Sequence, residues 1–262
     1  MNQNTITILG SGTSTGVPLV GCNCQVCKSN DSKDKRMRSS IFIETKNGLK
    51  LLVDTTPDLR SQLLREGIQD CDAVFITHEH ADHIHGIDDL KPFTFNKDKP
   101  LDVYAASNTA VFLENKFAYI FNTKKVLGDK KVLGSGVPKL RLNTLATHDL
   151  SSPTKIKSDN FHFKLLPHGH TQSLSFYHDG LAYIIDCNEV SQEWIEFLKS
   201  KNLKLLIIDC VRRKPHSTHL HLEKSLYYAK QIGAESTYLT HLAHIFSHQD
   251  LCDELKAENF KV

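Results

Sequence analysis

The sequence predicts a layered α/β protein whose strands end at a common polar edge. Five short runs rich in Val, Ile and Leu have the pattern of buried strands, and each run ends on Asp or His. The five end residues are Asp54, His78, Asp186, Asp209 and His241. Because functional residues gather at the carboxyl ends of strands in layered α/β proteins, these endings indicate one polar site.

Helical patterns alternate with the strand-like runs. Thr56 and Pro57 have the form of a helix cap followed by proline, and they lead DLRSQLLREG to a terminating Gly67. The other predicted helices are SNTAVFLENKFAYIF, SQEWIEFLKSKN, LEKSLYYAKQIG and HQDLCDELKAEN. The stretch 127–160 is rich in Gly, Lys and Ser apart from short strand-like pieces, and it is predicted as loop and edge structure that joins the halves. We expect a single domain over 1–262 with two pseudo-repeated halves, roughly 1–145 and 146–262.

The amino-acid composition indicates which classes of protein and which cellular compartment to expect. The chain has 262 residues with 32 Lys and Arg against 30 Asp and Glu, so its charge gives no signal for polyanion binding. No apolar run of about 18 residues could span a bilayer, and the start lacks a signal-peptide pattern. Four isolated cysteines are predicted to pack as small hydrophobic residues in a reducing compartment: Cys71, Cys187, Cys210 and Cys252. We therefore expect a cytoplasmic protein without a membrane partner.

The segment THEHADHIHG follows a predicted buried strand and carries the densest group of metal-binding side chains. Its candidate ligands are His78, His80, Asp82 and His83. Neutral imidazole and carboxylate suit zinc, manganese or iron. His78 and His80 can reach one ion from an extended turn, while Asp82 and His83 can reach a second. The spacing predicts a dinuclear metal site.

The early stretch GSGTSTGVPLVGCNCQVC combines glycines with three cysteines. Its glycines do not match the G-x-G-x-x-G fingerprint of dinucleotide-binding loops, and Val17 and Pro18 follow where that fingerprint needs a helix. The glycines instead indicate a tight turn after the first strand.

Cys22, Cys24 and Cys27 supply three soft ligands on one loop, and a zinc site needs a fourth. His244 in LTHLAHIF is a candidate, which predicts a structural Cys3His zinc site. A redox pair formed by Cys24 and Cys27 is the main alternative, and reduced thiols without a metal are the other.

The segment HEHADH matches the H-x-H-x-D-H motif of the metallo-β-lactamase superfamily. The resemblance extends to the strand ending at Asp54, a later histidine, IIDCNEV and LTHLAH. It implies a four-layer αββα sandwich that binds two divalent metals at one edge. One metal would be held by His78, His80 and the later histidine, the other by Asp82, His83 and His241, with Asp186 bridging.

Two assignments follow from the same resemblance. Asp54 would orient the metal ligands from outside the first coordination sphere. LPHGHTQSLSF offers both His168 and His170 as the later histidine, and the H-G-x3-S-L pattern favours His168.

The cysteine motif and the late H-x2-H resemble the phosphoribosyl cyclic phosphodiesterases of phosphonate breakdown. The resemblance implies that a hydroxide activated by two metals, and oriented by Asp82 or the bridging aspartate, opens a small cyclic phosphodiester. In DCVRRKPHSTHLHLEKS, relatives carry a histidine proposed as general acid, and position assigns that role to His219. His216 and His221 compete for it. The pair Arg212–Arg213 could bind a substrate phosphate or form a solvated turn.

Other functions use the same motif. A tRNA 3′-processing nuclease is disfavoured because the chain lacks a long Gly/Pro-rich arm and a positive charge balance, which also argues against nucleic acid as partner. Thioester or lactam hydrolysis is a further alternative, whereas His80 stands where redox diiron relatives usually have Glu. A non-catalytic zinc-binding module leaves HEHADH unexplained. Edge strands and exposed helices could support a homodimer. The active-site metals are expected to be zinc or manganese, with iron also compatible.

Overall fold

The computed structural model describes residues 3–95, 97–123, 136–145, 147, 150–256 and 260–261. It is a mixed α/β structure with two sheets, as predicted. The chain divides into two compact units. The first comprises Met1–Leu9 and Ser40–Ala146, and the second comprises Gly10–Ser39 and Thr147–Val262. The early cysteine segment therefore belongs with the second unit, and the single-domain assignment stays a prediction.

The strands of the described residues form a six-stranded and a seven-stranded sheet. They are β1 (Thr5–Gly10), β2 (Ser40–Glu44), β3 (Lys50–Val53), β4 (Ala73–Ile76), β5 (Leu101–Ala105), β6 (Leu140–Thr144), β7 (Thr154–Ile156), β8 (Asp159–His168), β9 (Thr171–His178), β10 (Leu181–Ile184), β11 (Leu205–Asp209), β12 (Ser236–Thr240) and β13 (Phe260–Lys261). The helices are α1 (Gln25–Lys28), α2 (Leu59–Arg65), α3 (Ala81–Ile84), α4 (Ser107–Lys116), α5 (Ala118–Phe121), α6 (Gln192–Lys199), α7 (Leu222–Ile232) and α8 (His248–Leu255). Residues Ile87–Thr94 form a 3-10 helix.

The six-stranded sheet has the order β1-β2-β3-β4-β5-β6. Strand β2 is antiparallel to β3, and β3, β4, β5 and β6 run parallel. Its core packs fully buried residues of the central strands, such as Leu52, Val74 and Ile76, against Leu59 and Leu113 of the helices. Because β3 and β4 are neighbouring parallel strands, the residues that follow them meet at one edge.

The seven-stranded sheet has the order β13-β12-β11-β10-β9-β8-β7. Strands β7 to β10 pair antiparallel, whereas β10 to β13 pair parallel. Its core centres on the fully buried Trp194, whose indole N–H donates to Ser175 Oγ at 2.9 Å. The parallel part brings together the carboxyl ends of β10, β11 and β12, which carry three of the predicted polar endings.

The five predicted strands and the regions of all five predicted helices are present, with two local differences, and residues 257–259 of the last predicted helix lie outside the described residues. SNTAVFLENKFAYIF is two helices because the backbone of Phe117 (φ −110°, ψ 45°) leaves the helical region. Helix α2 starts at Leu59, and Thr56 instead accepts the Asp58 N–H through its hydroxyl at 3.1 Å. The prediction of loop and edge structure over 127–160 is confirmed for the described residues, because β6 and β7 are the edge strands of the two sheets. Residues 127–135, 146 and 148–149 of that stretch lie outside the described residues.

The isolated cysteines pack as predicted in three of four cases. Cys71, Cys187 and Cys210 are fully buried, whereas Cys252 is half-buried. Burial raises the pKa of Cys71 to about 12 and raises the pKa values of the other two buried thiols as well. Among the helices of the described ranges, none has the length and apolar composition needed to cross a membrane.

Candidate metal centre

Strands β3 and β4 place Asp54 beside Thr77 in the first unit. The Asp54 N–H donates to the carbonyl of Phe75 at 2.8 Å, which joins the two strand ends. The Asp54 carboxylate accepts the Thr77 N–H on Oδ1 and the Thr77 hydroxyl on Oδ2, both at 2.8 Å. This carboxylate is therefore fixed in orientation at the sheet edge.

Asp54 also fixes the ring of His83, which α3 carries. His83 Nδ1 lies 2.7 Å from Asp54 Oδ2, and both side chains are completely buried. Burial raises the pKa of Asp54, while the contact with His83 opposes that rise. An Nδ1–H that donates to a carboxylate leaves Nε2 as the nitrogen with a lone pair, the arrangement typical of a metal-ligating histidine.

His78 is oriented by the same carboxylate through Thr77. The Thr77 hydroxyl gives its proton to Asp54, so its oxygen accepts from His78 Nδ1, 3.1 Å away. This relay again places the His78 lone pair on Nε2. Asp54 thus sets the tautomer of two candidate ligands.

The first ligand group comprises His78, His80, Asp82 and His83. Ligand atoms of His78 and His80 lie within 4.8 Å of each other, and Asp82 Oδ2 lies 3.2 Å from His83 Nε2. His80 is exposed, and the other three side chains are buried. The group contains the imidazole and carboxylate donors that suit a divalent transition metal.

Gly86 allows the backbone after α3 to pack closely against the backbone that follows β3. Gly86 donates its N–H to the carbonyl of Thr55 at 2.8 Å, and Thr55 donates its own N–H to the carbonyl of His83 at 2.7 Å. A Cβ on Gly86 would lie 2.0 Å from the carbonyl oxygen of Thr56. Only glycine permits this approach.

The second ligand group lies in the second unit and comprises His168, Asp186, Asp209, His219 and His241. Ligand atoms of Asp186, Asp209, His219 and His241 all lie within 4.8 Å of one another. His241 Nδ1 is 3.3 Å from Asp186 Oδ1 and 3.4 Å from Asp209 Oδ1. Burial raises the pKa of Asp209, but contacts with His219 and His241 outweigh it and lower the pKa overall. Two buried carboxylates and several imidazoles therefore converge in the second unit.

Three candidate site residues have left-handed backbones. The φ angles are 66° at Asp54, 48° at Asp186 and 62° at His241. Few non-glycine residues adopt this region, and such strain concentrates at functional sites. Each of these residues follows the end of a strand, so the turn directs its side chain away from the strand path.

His168 joins the second ligand group, while His170 is exposed. His168 Nδ1 donates to the carbonyl of Thr218 at 2.7 Å, which leaves Nε2 as the ligand atom, 3.7 Å from Asp186 Oδ2. Gly169 (φ 61°) allows this contact, since a Cβ there would lie 2.7 Å from Thr218 Cγ2. The geometry favours His168 over His170.

His219 has the surroundings expected of the general-acid candidate. Its Nδ1 lies 3.3 Å from Oδ2 of the fully buried Asp209, and its ring centroid lies 4.7 Å from that of His168. His221 caps α7 without a side-chain hydrogen bond. Asp209 is absent from the ligand pattern that the resemblance implies, although its place among the five polar strand endings already indicated the site.

The arginine pair has structural contacts in the loop after β11. Arg212 donates from Nε to the carbonyl of Lys214 at 3.0 Å and also bonds the carbonyl of Pro215. Arg213 forms a two-point ion pair with Glu254 at 2.7 and 3.0 Å. These contacts favour the turn interpretation over phosphate binding.

The cysteine segment forms a third group, again inside the second unit. The Sγ atoms of Cys22, Cys24 and Cys27 and one His244 nitrogen lie within 4.8 Å of one another. His244 Nδ1 is 3.4 Å from the Sγ atoms of both Cys22 and Cys24. Three thiols and an imidazole form a donor set that fits a tetrahedral zinc ion.

The cysteine segment, defined as the stretch 10–39 that contains the three cysteines, contacts the chain that follows His241. Leu242 donates its N–H to the carbonyl of Ser11 at 2.8 Å. The buried Arg36 donates to the carbonyl of Phe246 at 2.9 Å, and the buried Asp34 accepts the N–H of His248 at 2.8 Å. The cysteine segment therefore braces the backbone that carries both His241 and His244.

Comparison with known proteins gives consistent matches. A family model described as the Beta-lactamase superfamily domain matches residues 50–242. The crystal structure of a diphosphatase from the PhnP family is 33% identical and superposes with a TM-score of 0.87, covering 99% of this chain and 93% of that one. Zinc-bound PqqB from Methylobacterium extorquens shares the fold, with a TM-score of 0.71 over 99% of this chain and 97% of that one at 18% identity.

Curated sequence relatives are longer proteins. An octanoyltransferase of Porphyromonas gingivalis is 37% identical over 238 residues, which make up 90% of this chain but 45% of that protein. A coenzyme PQQ synthesis protein B of Methylobacterium nodulans is 31% identical over 114 residues, 38% of this chain and 36% of that protein. The chain thus spans less than half the length of these relatives, so their names describe more than the shared region.

Proposed function

The chain belongs to the metallo-β-lactamase superfamily, and from this premise we propose that it is a dinuclear metal-dependent phosphodiesterase that opens a small cyclic phosphodiester. The family match confirms the predicted fold class. The likeness to a PhnP-family diphosphatase across nearly the whole chain supports phosphoryl chemistry over lactam hydrolysis. The octanoyltransferase name belongs to a protein of which this chain spans 45%, so it supports no acyl transfer here.

We propose that the two ligand groups together hold the metals in the pattern that the resemblance implies. His78, His80 and His168 would bind one ion, and Asp82, His83 and His241 the other, with Asp186 shared between them. The tautomers support this assignment, because His78, His83 and His168 each have Nδ1 engaged and Nε2 left as the ligand atom. When bound, two divalent ions lower the pKa of a water molecule and offset the charge that develops on phosphoryl oxygens.

Four residues of this chain have further roles in the proposed reaction. Asp82 orients the attacking water through its carboxylate. The protonated ring of His219 donates a proton from Nε2 to the leaving oxygen and becomes neutral, and Asp209 stabilises the protonated ring before this transfer through the Nδ1 contact at 3.3 Å. Asp54 acts on His78 and His83 and touches no substrate.

The pairing of His219 with Asp209 carries the proposal. An alkoxide is a poor leaving group and needs a proton donor near neutral pH. An imidazole backed by a buried carboxylate, beside candidate metal ligands, supplies one. Hydrolysis of a thioester needs this donor less, because a thiolate is a better leaving group than an alkoxide.

We also propose a structural zinc at Cys22, Cys24, Cys27 and His244. The four donor atoms already lie together, so binding needs little rearrangement. The ion would lock the cysteine segment to the chain after His241. For partners, the balanced charge supports a small substrate in preference to a nucleic acid.

The test combines metal analysis with hydrolysis of bis(p-nitrophenyl) phosphate and a phosphoribosyl 1,2-cyclic phosphate. We expect near three metals per wild-type chain, loss of activity in Asp186→Ala, and loss of one zinc in Cys24→Ser. His168→Ala should lose active-site metal, whereas His170→Ala, the matched control, should keep it. One zinc per chain and no phosphodiester turnover would reject the catalytic proposal and favour a zinc-binding module. Turnover of a thioester or lactam alone would assign a different substrate class.

A further inference from the structure

His216 occupies a defined position that the proposed chemistry leaves unused. The N–H of Thr218 donates to His216 Nδ1 at 3.2 Å. A backbone N–H can only donate, so Nδ1 must be the accepting nitrogen and the neutral ring carries its proton on Nε2. The loop therefore selects one tautomer of His216.

The backbone of Thr218 fixes different tautomers of two histidines. The carbonyl of Thr218 accepts from His168 Nδ1 at 2.7 Å, while the N–H of Thr218 donates to His216 Nδ1. His168 is left with an accepting Nε2, as a metal ligand requires. His216 is left with a donating Nε2–H, which cannot ligate a metal without losing its proton.

Hydrogen bonds at both ends and within the loop fix the conformation of residues 211–222, which include His216. Val211 donates its N–H to the carbonyl of Leu220 at 3.0 Å, and Leu222 donates to the carbonyl of Arg212 at 2.9 Å. The guanidinium of Arg212 bonds two carbonyls directly before His216. The donor is thus placed in advance of any ligand, which reduces the entropic cost of binding.

We propose that His216 is a specificity-determining residue whose Nε2–H donates a hydrogen bond to an oxygen of the leaving group, an inference that rests on the proposed function. The ring of His216 lies 5.0 Å from that of His219, centroid to centroid. If His219 protonates the leaving oxygen, its neighbour contacts the same part of the substrate. The acceptor is an oxygen close to the scissile bond, which a sugar hydroxyl or a second phosphoryl group can supply.

The contact with Thr218 also fixes the protonation state of His216. An Nδ1 that accepts a backbone N–H carries no proton, so the ring that makes this contact is neutral. A neutral imidazole that gave up its Nε2 proton would become an imidazolate, so this residue is a hydrogen-bond donor and not a general acid. This separates the roles of two histidines that sequence position left in competition.

The kinetic test compares substrates with and without an oxygen next to the leaving atom. For His216→Ala we expect kcat/KM to fall roughly 3- to 10-fold, mainly through KM, on a phosphoribosyl 1,2-cyclic phosphate, whose free 3-hydroxyl is next to the leaving O2, or on a nucleoside diphosphate sugar. The loss on one and not the other identifies hydroxyl or phosphoryl as the acceptor. Bis(p-nitrophenyl) phosphate, which lacks such an oxygen, should react unchanged, and His216→Gln should recover part of the loss.

Lys214→Ala removes a positive charge from the same loop and serves as the matched control. An equal loss in that variant, or equal losses on all substrates in His216→Ala, would overturn the proposal by assigning the effect to loop charge or loop structure. A wild type that hydrolyses no phosphodiester would remove the proposed function itself, which is a different result from an active enzyme indifferent to His216.

A spectroscopic test needs no turnover. Long-range ¹H–¹⁵N spectra of ¹⁵N-histidine-labelled protein, assigned with His216→Ala, report which ring nitrogen bears the proton. We expect His216 to be neutral with the proton on Nε2 at pH 7. A proton on Nδ1, or a doubly protonated ring, would contradict the proposal even if the enzyme is an active phosphodiesterase.

Discussion

The Asp54 carboxylate accepts a hydrogen bond from His83 Nδ1 at 2.7 Å, and neither side chain is exposed to solvent. The same carboxylate reaches His78 through the hydroxyl of Thr77. One buried aspartate therefore sets the orientation of two candidate metal ligands.

Asp54→Asn should weaken metal binding without removing a ligand. The amide cannot give His83 and Thr77 the same two charged acceptors, so we expect metal affinity to fall about 10- to 100-fold. Competition with a chromophoric chelator measures the change. Asp58→Asn, four residues along the same segment, is the control and should bind metal as the wild type does. Unchanged metal affinity in Asp54→Asn would show that Asp54 does not orient the metal ligands.

Asp209→Asn should separate substrates by leaving group. Without the carboxylate, the His219 ring loses the partner of its Nδ1–H, so we expect kcat on an alkyl phosphodiester to fall by about 10²-fold or more. The nitrophenyl ester, whose leaving group needs no proton, should lose much less. His219→Ala should give the same pattern, and the double variant should add little. Equal losses on both esters would contradict the assignment.

Cys24 should be a thiolate at neutral pH in metal-free protein. The backbone N–H of Cys27 and the side chain of His244 lower the pKa of Cys24 to about 6. Iodoacetamide should therefore alkylate this residue with half-maximal rate near pH 6. His244→Ala should shift that midpoint upward, and added zinc should protect the thiol. A midpoint near 8.5, the value of a free thiol, would show that the loop does not activate it.

Asp34→Asn should destabilise the second unit because it leaves a buried guanidinium without its counter-charge. Arg36 is 4% exposed and lies 3.5 Å from Asp34. We expect a loss of about 3 kcal/mol in the free energy of unfolding at pH 7, measured by denaturant titration. Asp253→Asn on the surface of α8 is the control. A loss equal to that of the control would mean that the ion pair contributes nothing.

The effect of Asp34 should also depend on pH. Burial raises the pKa of Asp34, but hydrogen bonds from Ser29 and the His248 backbone, together with the charge of Arg36, lower it overall. A carboxyl whose pKa is lower in the folded state stabilises the protein above the unfolded pKa near 3.9. That contribution is lost as the pH falls through the folded pKa. The difference between wild type and Asp34→Asn should therefore shrink below pH 4, and a constant difference would contradict this account.

The sequence alone determined the elements and the local donor sets of this protein. The informative features are the strand runs that end on Asp or His, the HEHADH segment and the three clustered cysteines. Each is formed by residues close together in the sequence, where periodicity and spacing have direct structural meaning. The superfamily followed from the same motifs. Asp54, His78 and His241 accordingly lie at strand ends, as the pattern predicted.

Only the tertiary structure decided which candidates work together. His168 and His170 are two residues apart, a spacing that keeps the same face of a strand, so alternation cannot separate them. The choice depends on a turn after His168 and on a carbonyl fifty positions away at Thr218. The role proposed for Asp209 likewise depends on its contact with His219, which belongs to a different segment of the chain. Hydrogen bonds between distant segments fix tautomer and orientation, and no local pattern in the chain encodes them.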